Sequence, residues 1–334
     1  VAPLRDDTRP PAVTVRSLSK TYRNGVRAVD GVDLDIGRGE IFALLGPNGA
    51  GKTTTVEILE GYRSRDSGEV SVLGFDPARQ ISELKPLIGI VLQSTGVDRY
   101  LTVAETIDMY AGYYPHPRDV DEVIDLVGLA AKRDAKVLTL SGGQQRRLDV
   151  GVALAGDPEL LFLDEPTTGF DPSARREAWE VVKGLAALGK TILLTTHYME
   201  EAQYLADNVA VIAAGRIVAE GPPARLAGRD QVVPRIRFQR PRPDLPLELA
   251  EELGVAACAD GRLELVPDAL TPALARLTAW AVGAGVELQG LEILRPSLED
   301  VYLQLTGSPD EAAEQPSPAR GRGRGRRSVA AGAR

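Results

Sequence analysis

The sequence predicts an α/β protein: a mixed, largely parallel sheet covered by helices, with an inserted helical subdomain and a small α+β domain behind it. Three observations predict it. From residue 13 to about residue 226, short β-branched or leucine-rich runs alternate with amphipathic stretches, the texture of strands feeding helices that pack back on the sheet. Between residues 101 and 140 this alternation gives way to helical spacing, with Val103, Ile107 and Tyr110 followed by Val123, Ile124, Val127 and Leu129. After Gly221-Pro222-Pro223 and four further prolines, Pro234, Pro241, Pro243 and Pro246, a second and shorter pattern begins.

Strands are expected at residues 13–18, 32–36, 41–45, 70–73, 88–92, 160–163, 191–195 and 208–212. Several are apolar throughout, as strands buried on both faces of a parallel sheet are. A helix opens at Lys52, and the helical insert covers about residues 94–158, ending in a helix over 145–155. The main domain is read as residues 13–229, behind a flexible N-terminus of residues 1–12, and the small α+β domain as residues 230–307. Within the small domain, helices are expected over 270–282 and 298–305, with a strand inside 286–294. From residue 308 the composition collapses into Pro, Ala, Gly and Arg, which cannot bury enough apolar surface to offset the entropy of ordering, so a disordered tail is expected over 308–334.

Composition narrows the class. With 334 residues and 43% hydrophobic content the chain can bury a full core. Its single cysteine, Cys258, excludes an internal disulfide framework and a multi-cysteine zinc site. Thirty-nine basic against 47 acidic residues leave a formal charge of −8, which argues against a body built to coat nucleic acid. No apolar run approaches the ~18 to 20 residues of a membrane-spanning helix. The N-terminal stretch, with Arg5, Asp6, Asp7 and Pro10-Pro11, has no apolar signal core. A cytoplasmic protein that does not itself cross a membrane is expected.

Gly46-Pro47-Asn48-Gly49-Ala50-Gly51-Lys52-Thr53 has the spacing of a phosphate-binding loop, placed between a strand and a helix. The glycines let backbone amides turn inward around phosphates, the helix N-terminus adds partial positive charge, and Lys52 adds a full one. Thr53 is expected to place its hydroxyl on Mg²⁺, and Thr54 continues the ATP-binding turn. Leu160-Leu161-Phe162-Leu163-Asp164-Glu165 is an apolar strand ending in two carboxylates, an expensive arrangement unless a cation or reacting group compensates the charges. By itself such a run is equally consistent with an acidic helix cap. Beside the phosphate loop it assigns Asp164 to Mg²⁺ through water, and Glu165 to the base that polarises the attacking water.

Leu140-Ser141-Gly142-Gly143-Gln144 leads into a helix, and a serine with two glycines at a helix start is a second anion-binding nest. At this stretch the chain resembles the ATP-binding-cassette (ABC) ATPases, whose signature reads LSGGQ. The resemblance implies a P-loop cassette fold and a homodimer of cassettes. In that dimer Ser141, Gly142, Gly143 and Gln144 of one protomer close on the ATP held by Gly46, Pro47, Asn48, Gly49, Ala50, Gly51, Lys52, Thr53 and Thr54 of the other. It further implies that Tyr22 stacks on adenine, that Gln93 reaches Mg²⁺ and the attacking water, and that His197 contacts the γ-phosphate. Asp171, in Gly169-Phe170-Asp171, would communicate across the dimer, with Phe170 standing where leucine is more usual. ATP and Mg²⁺ are the implied cofactors, and a separate transmembrane permease is the implied partner, with the ATPase peripheral at the cytoplasmic face of the plasma membrane. Thr167-Thr168-Gly169-Phe170-Asp171-Pro172, the run from Thr195-Thr196-His197 to Ala202, and Pro296-Ser297-Leu298-Glu299-Asp300-Val301-Tyr302 resemble the daunorubicin-resistance type of drug exporter.

Two rival readings remain open on the residues. The tail Arg320-Gly321-Arg322-Gly323-Arg324-Gly325-Arg326-Arg327 suits a cassette that acts on nucleic acid, although no nucleic acid partner is expected of a single cassette without coiled-coil or zinc insertions. A non-catalytic regulatory cassette is opposed by the presence of Lys52, Asp164, Glu165 and His197 together.

Overall fold

The computed structural model describes residues 10–91, 96–226, 234–258, 260–294, 298 and 302. The expectations for the first nine residues, for Gln93 and for the tail from residue 308 lie outside the described residues. In chain order the main domain contains β1 (Val13–Thr21), β2 (Arg27–Ile36), β3 (Ile41–Leu45), α1 (Lys52–Leu59), β4 (Ser67–Val72), α2 (Ile81–Leu84), β5 (Ile88–Val91), α3 (Val103–Ala111), α4 (Val120–Leu126), α5 (Gly142–Leu154), β6 (Leu160–Asp164), α6 (Pro172–Ala187), β7 (Thr191–Thr196), α7 (Met199–Leu205), β8 (Asn208–Ala213) and β9 (Arg216–Gly221).

The expected mixed sheet is present, and a second, antiparallel sheet stands beside it. Six strands run in the order β5-β6-β7-β3-β8-β9, all parallel except β9, while β2-β1-β4 form a separate antiparallel sheet. All five residues of β3 are buried, as its place between β7 and β8 requires. Side-chain alternation then divides the core. Ala43, Leu45, Leu161, Leu163, Ile192 and Leu194 face one hydrophobic layer with the insert and α5 to α7. Phe42, Leu44, Leu160, Phe162 and Leu193 face the other, where α1 and the antiparallel sheet pack. Parallel order also brings the C-terminal ends of β3, β6 and β7 to one edge, the crevice where ligands meet α/β sheets.

Strand β9 escapes a sequence reading because its alternate residues Arg216, Val218 and Glu220 are exposed, so the edge lacks an apolar signal. Strand β2 starts at Arg27, earlier than expected, because pairing with β1 at Thr21↔Arg27 extends it over polar residues. The insert is helical as its periodicity indicates. Thr102 caps α3 with a reciprocal bond to Glu105, and Asp119 caps α4.

Beyond residue 234 come β10 (Arg235–Gln239), α8 (Leu247–Leu253), β11 (Ala256–Ala257), β12 (Arg262–Leu265), α9 (Leu270–Ala284) and β13 (Glu292–Leu294). They form an antiparallel sheet in the order β11-β12-β10-β13, with Ile236, Phe238, Leu263, Leu265 and Leu277 in a core of their own. The strand expected within 286–294 is confined to its last three residues. Leu298 and Tyr302, read from sequence as part of this domain's last helix, are buried in the main-domain core layer beside Leu226. Among the described residues no helix is long and apolar enough to cross a membrane.

Candidate nucleotide site

The loop leaving β3 is shaped by positive backbone angles. Gly51, at φ 110°, is the N-cap of α1, and a Cβ there would strike the Ala28 carbonyl oxygen. Gly49 lies at φ 80° with no atom within 4 Å of where a Cβ would stand. Its glycine therefore answers to the backbone turn alone. Lys52, 6% exposed, turns back into the loop and donates from Nζ to the carbonyls of Gly46 at 2.6 Å and Pro47 at 3.2 Å. Burial lowers its pKa, while the charges of Glu165 and Asp164 pull it up. Thr53 is exposed on the first turn. The Tyr22 hydroxyl shares a hydrogen bond with Thr54 Oγ1 at 2.9 Å, and the Arg63 guanidinium lies 5.0 Å from the centre of the Tyr22 ring.

Asp164 closes β6 directly opposite Thr195 of β7. The Thr195 hydroxyl, 1% exposed, donates to Asp164 Oδ1 at 2.5 Å and accepts the Glu165 amide at 3.1 Å. One buried hydroxyl thus sets both carboxylate-bearing residues. Glu165 needs such support, since its φ of 45° puts a non-glycine residue in the left-handed region. Its Oε2 accepts the Thr168 hydroxyl at 3.0 Å, and its Oε1 lies 3.2 Å from His197 Nδ1. That contact has ion-pair distance but not hydrogen-bond direction. Burial alone would raise the Glu165 pKa, yet His197, Thr168 and the charge of Lys52 outweigh it and hold the carboxyl below its ordinary value. The group is therefore ionised at neutral pH, as a proton acceptor must be.

The signature residues sit elsewhere. Ser141 is the N-cap of α5, donating its amide to Gln144 Oε1 at 3.0 Å and accepting the Gln144 amide on Oγ at 3.3 Å. Gln144 thus uses its side-chain oxygen as a cap. Ser141, Gly142, Gly143 and Gln144 line a cleft of about 1080 Å³ opposite Glu165, Thr168, Gly169, Phe170 and Asp171. None of Gly46 to Thr54 lines it. Asp171 caps α6, its Oδ1 accepting the amides of Ser173 and Ala174, both at 2.9 Å. Gln93, the remaining sequence assignment, falls outside the described residues.

Three positioning groups have no role of their own in the reading above, although Thr195 and Glu201 lie within the run from Thr195 to Ala202 quoted there. Arg146, buried on α5, donates to the carbonyls of Asp164 at 2.9 Å and Pro166 at 3.1 Å, tying the signature helix to the acidic strand. Glu201, fully buried on α7, accepts the Thr167 hydroxyl at 2.8 Å and Trp179 Nε1 at 3.0 Å. It pins the far side of the same loop. Thr195 is the third, and the only available signal was a polar residue at the buried end of an apolar strand. Thr195→Val keeps the shape and the β-branching but removes the hydroxyl. It is expected to lower kcat by about tenfold to a hundredfold, the value of a hydrogen bond to a charged group. Phosphate release by the purified variant measures this, with Thr195→Ser expected to recover most of the rate.

These residues fit a magnesium nucleotide. A glycine loop with an open turn at Gly49, a buried ammonium and an exposed threonine at a helix N-terminus form an anion cradle. Asp164, beside them, is the carboxylate suited to a divalent cation. The arrangement is that of phosphoryl transfer to water, with positive charge on one side and an ionised carboxylate on the other.

Comparison with known proteins agrees with this geometry. Residues 29–168 match the family described as "ABC transporter". Residues 234–297 match "ABC transporter domain-containing protein-like, C-terminal domain". The chain is 37% identical over 324 residues to the daunorubicin/doxorubicin resistance ATP-binding protein DrrA of Streptomyces peucetius, covering 91% of this chain and 97% of that protein. It is 40% identical over 307 residues to the Nod factor export ATP-binding protein I of Rhizobium leguminosarum bv. viciae, covering 89% and 96%. Among solved structures, CbiO1 of Clostridium perfringens, part of an ABC transporter complex, aligns with a TM-score of 0.61 at 30% identity over 65% of this chain and 90% of its own. The cassette MJ0796, solved as a dimer bound to ADP and Pi after hydrolysis, aligns with a TM-score of 0.56 at 26% identity over 63% of this chain and 98% of its own. With its phosphate loop, acidic strand and signature all in place, the chain belongs to the ABC transporter family as an ATP-binding, ATP-hydrolysing subunit.

Proposed function

We propose that the chain powers export of a drug or antibiotic through a separate membrane permease, working as a homodimer of cassettes at the cytoplasmic face of the plasma membrane. The observation that carries the dimer is the separation of the two anion sites: the Ser141 nest opens on a cleft that none of Gly46 to Thr54 lines. A nest that shares no cleft with its own phosphate loop has a use when it meets the loop of a second copy. Export of a drug is supported by the printed functions of the relatives, daunorubicin and doxorubicin resistance and Nod factor export.

In this reading Lys52 and the amides of the phosphate loop bind the triphosphate of one ATP, and Ser141 with Gly142 and Gly143 of the partner completes the grip. Tyr22 stacks on the adenine. Thr53 and Gln93, with Asp164 through water, would hold Mg²⁺, which would neutralise phosphate charge. Glu165 accepts the proton of the attacking water, and His197 contacts the γ-phosphate. Loss of the γ-phosphate removes what both protomers grip, so they part. Because Arg146 bonds the signature helix to the backbone of Asp164 and Pro166, this change reaches the helical insert and, through it, the permease.

The test is reconstitution with a candidate permease, if one is found encoded next to this chain, in vesicles whose ATPase faces the bath, with daunorubicin and ATP added outside. ATP-dependent accumulation of the drug in the lumen, absent without either protein, is the expected result. ATP hydrolysis without drug movement would leave an ATPase of another transporter.

A further inference from the structure

Tyr22 stands at the start of the turn between β1 and β2, its amide donating to the Val26 carbonyl at 2.8 Å. The segment that follows α1 grips this turn twice. Asp66 accepts the Thr21 amide on Oδ2 at 2.6 Å and Lys20 Nζ on Oδ1 at 2.7 Å, which fixes the backbone just before the tyrosine. Arg63 takes the ring itself, its guanidinium lying over one face 5.0 Å from the centre. Arg63 is in turn fastened to α1, donating Nε to Glu57 Oε2 and its amide to the Glu57 carbonyl at 3.0 Å. The Tyr22 hydroxyl meets Thr54 Oγ1 one turn earlier on the same helix.

The ring is therefore held at its edge by Thr54 and on one face by a cation. A planar ring has two faces, so the second is the one a base can cover. Without that cation the ring would keep part of its freedom to rotate about its side-chain torsions, and would lose it when a base arrives. A guanidinium suits the task, since it lies flat on an aromatic face and stays charged at any ordinary pH. Both holds on the ring come from α1 or the segment just after it, so one rigid element sets the ring against Lys52 on the first turn of that helix.

We propose that Arg63, anchored on Glu57, is a positioning residue for nucleotide recognition: it braces the Tyr22 ring and strengthens binding of the base without contacting the phosphates. The inference rests on the reading that Tyr22 stacks on adenine, and adds to it the residue that makes the ring rigid.

Magnesium tripolyphosphate offers the phosphate loop the same phosphate chain as ATP with no base or ribose, so the two ligands separate recognition of the base from recognition of phosphate. Titration calorimetry on the purified full chain reads Kd for tripolyphosphate and for a non-hydrolysable ATP analogue, both with Mg²⁺. Arg63→Gln keeps a polar side chain and removes the cation. It is expected to weaken binding of the analogue about threefold to tenfold, the worth of a cation over an aromatic ring, while tripolyphosphate stays within about twofold of wild type. Tyr22→Ala is expected to weaken the analogue roughly tenfold or more, the cost of losing a base–aromatic stack. Adding Arg63→Gln to Tyr22→Ala is expected to change the Kd of the analogue no further, because the arginine acts through the ring. Wild-type affinity in Arg63→Gln, beside a loss in Tyr22→Ala, would overturn the inference alone. So would equal losses on both ligands, which would make Arg63 a residue of the loop's fold, or a full Arg63 effect in the absence of the ring. If Tyr22→Ala binds the analogue as wild type does, the stacking reading falls and takes this inference with it.

Discussion

Replacing Glu165 with glutamine is expected to slow ATP hydrolysis by about 10² to 10⁴ while leaving MgATP binding intact, the usual cost of losing a general base. The structure gives the reason. Glu165 is ionised, held in a left-handed backbone conformation and fastened by bonds from its amide to both the carbonyl and the hydroxyl of Thr195. Glutamine preserves size and can still accept the Thr168 hydroxyl through its carbonyl oxygen, so the strand end stays in place and only proton acceptance is lost. Phosphate release and equilibrium nucleotide binding, measured on the same preparation, separate the two effects. Hydrolysis at the wild-type rate would remove Glu165 from the chemistry. Because ATP then persists, the variant is also expected to elute as a dimer in saturating MgATP, and strictly monomeric protein there would count against the shared site.

The second large effect lies in binding. Lys52→Ala removes the only lysine in the phosphate loop and is expected to weaken MgATP binding by about 2 to 4 kcal/mol, or roughly 30- to 1000-fold in Kd. Its ammonium is buried, bonded to two loop carbonyls and within the field of Asp164 and Glu165. Loss of the charge therefore removes an ammonium from the field of two carboxylates and leaves the loop without its internal tie. Titration calorimetry with a non-hydrolysable ATP analogue reads the change, and undiminished affinity would exclude the assignment. The contrast between the variants is diagnostic: one binds without turning over, whereas the other fails to bind.

Much of the site is legible along the chain because its chemistry is done by contiguous backbone. A phosphate cradle needs glycines at fixed spacing before a helix, so residues 46–53 declare themselves. An anion nest needs a serine and small residues at a helix start, and Ser141 is indeed the N-cap of α5. The apolar strand ending in Asp164 and Glu165 is readable for a similar reason, since burying acids at a strand end is costly without a purpose. Helical periodicity likewise located α3, α4 and α9.

What hid from the sequence is everything that depends on which strands and helices become neighbours. Thr195 lies 31 residues from Asp164 along the chain, and only the parallel pairing of β6 with β7 makes its hydroxyl the bridge between Asp164 and Glu165. Arg146 reads as one more arginine after the signature until α5 is laid against the end of β6. Arg63 reads as an ordinary turn residue until the turn between β1 and β2 brings the Tyr22 ring beneath it. Local propensity and motif spacing are properties of a few consecutive residues, whereas burial and hydrogen-bond partnership are properties of the packed core. The chain order therefore named the chemistry, and the strand order chose the side chains that hold it in place.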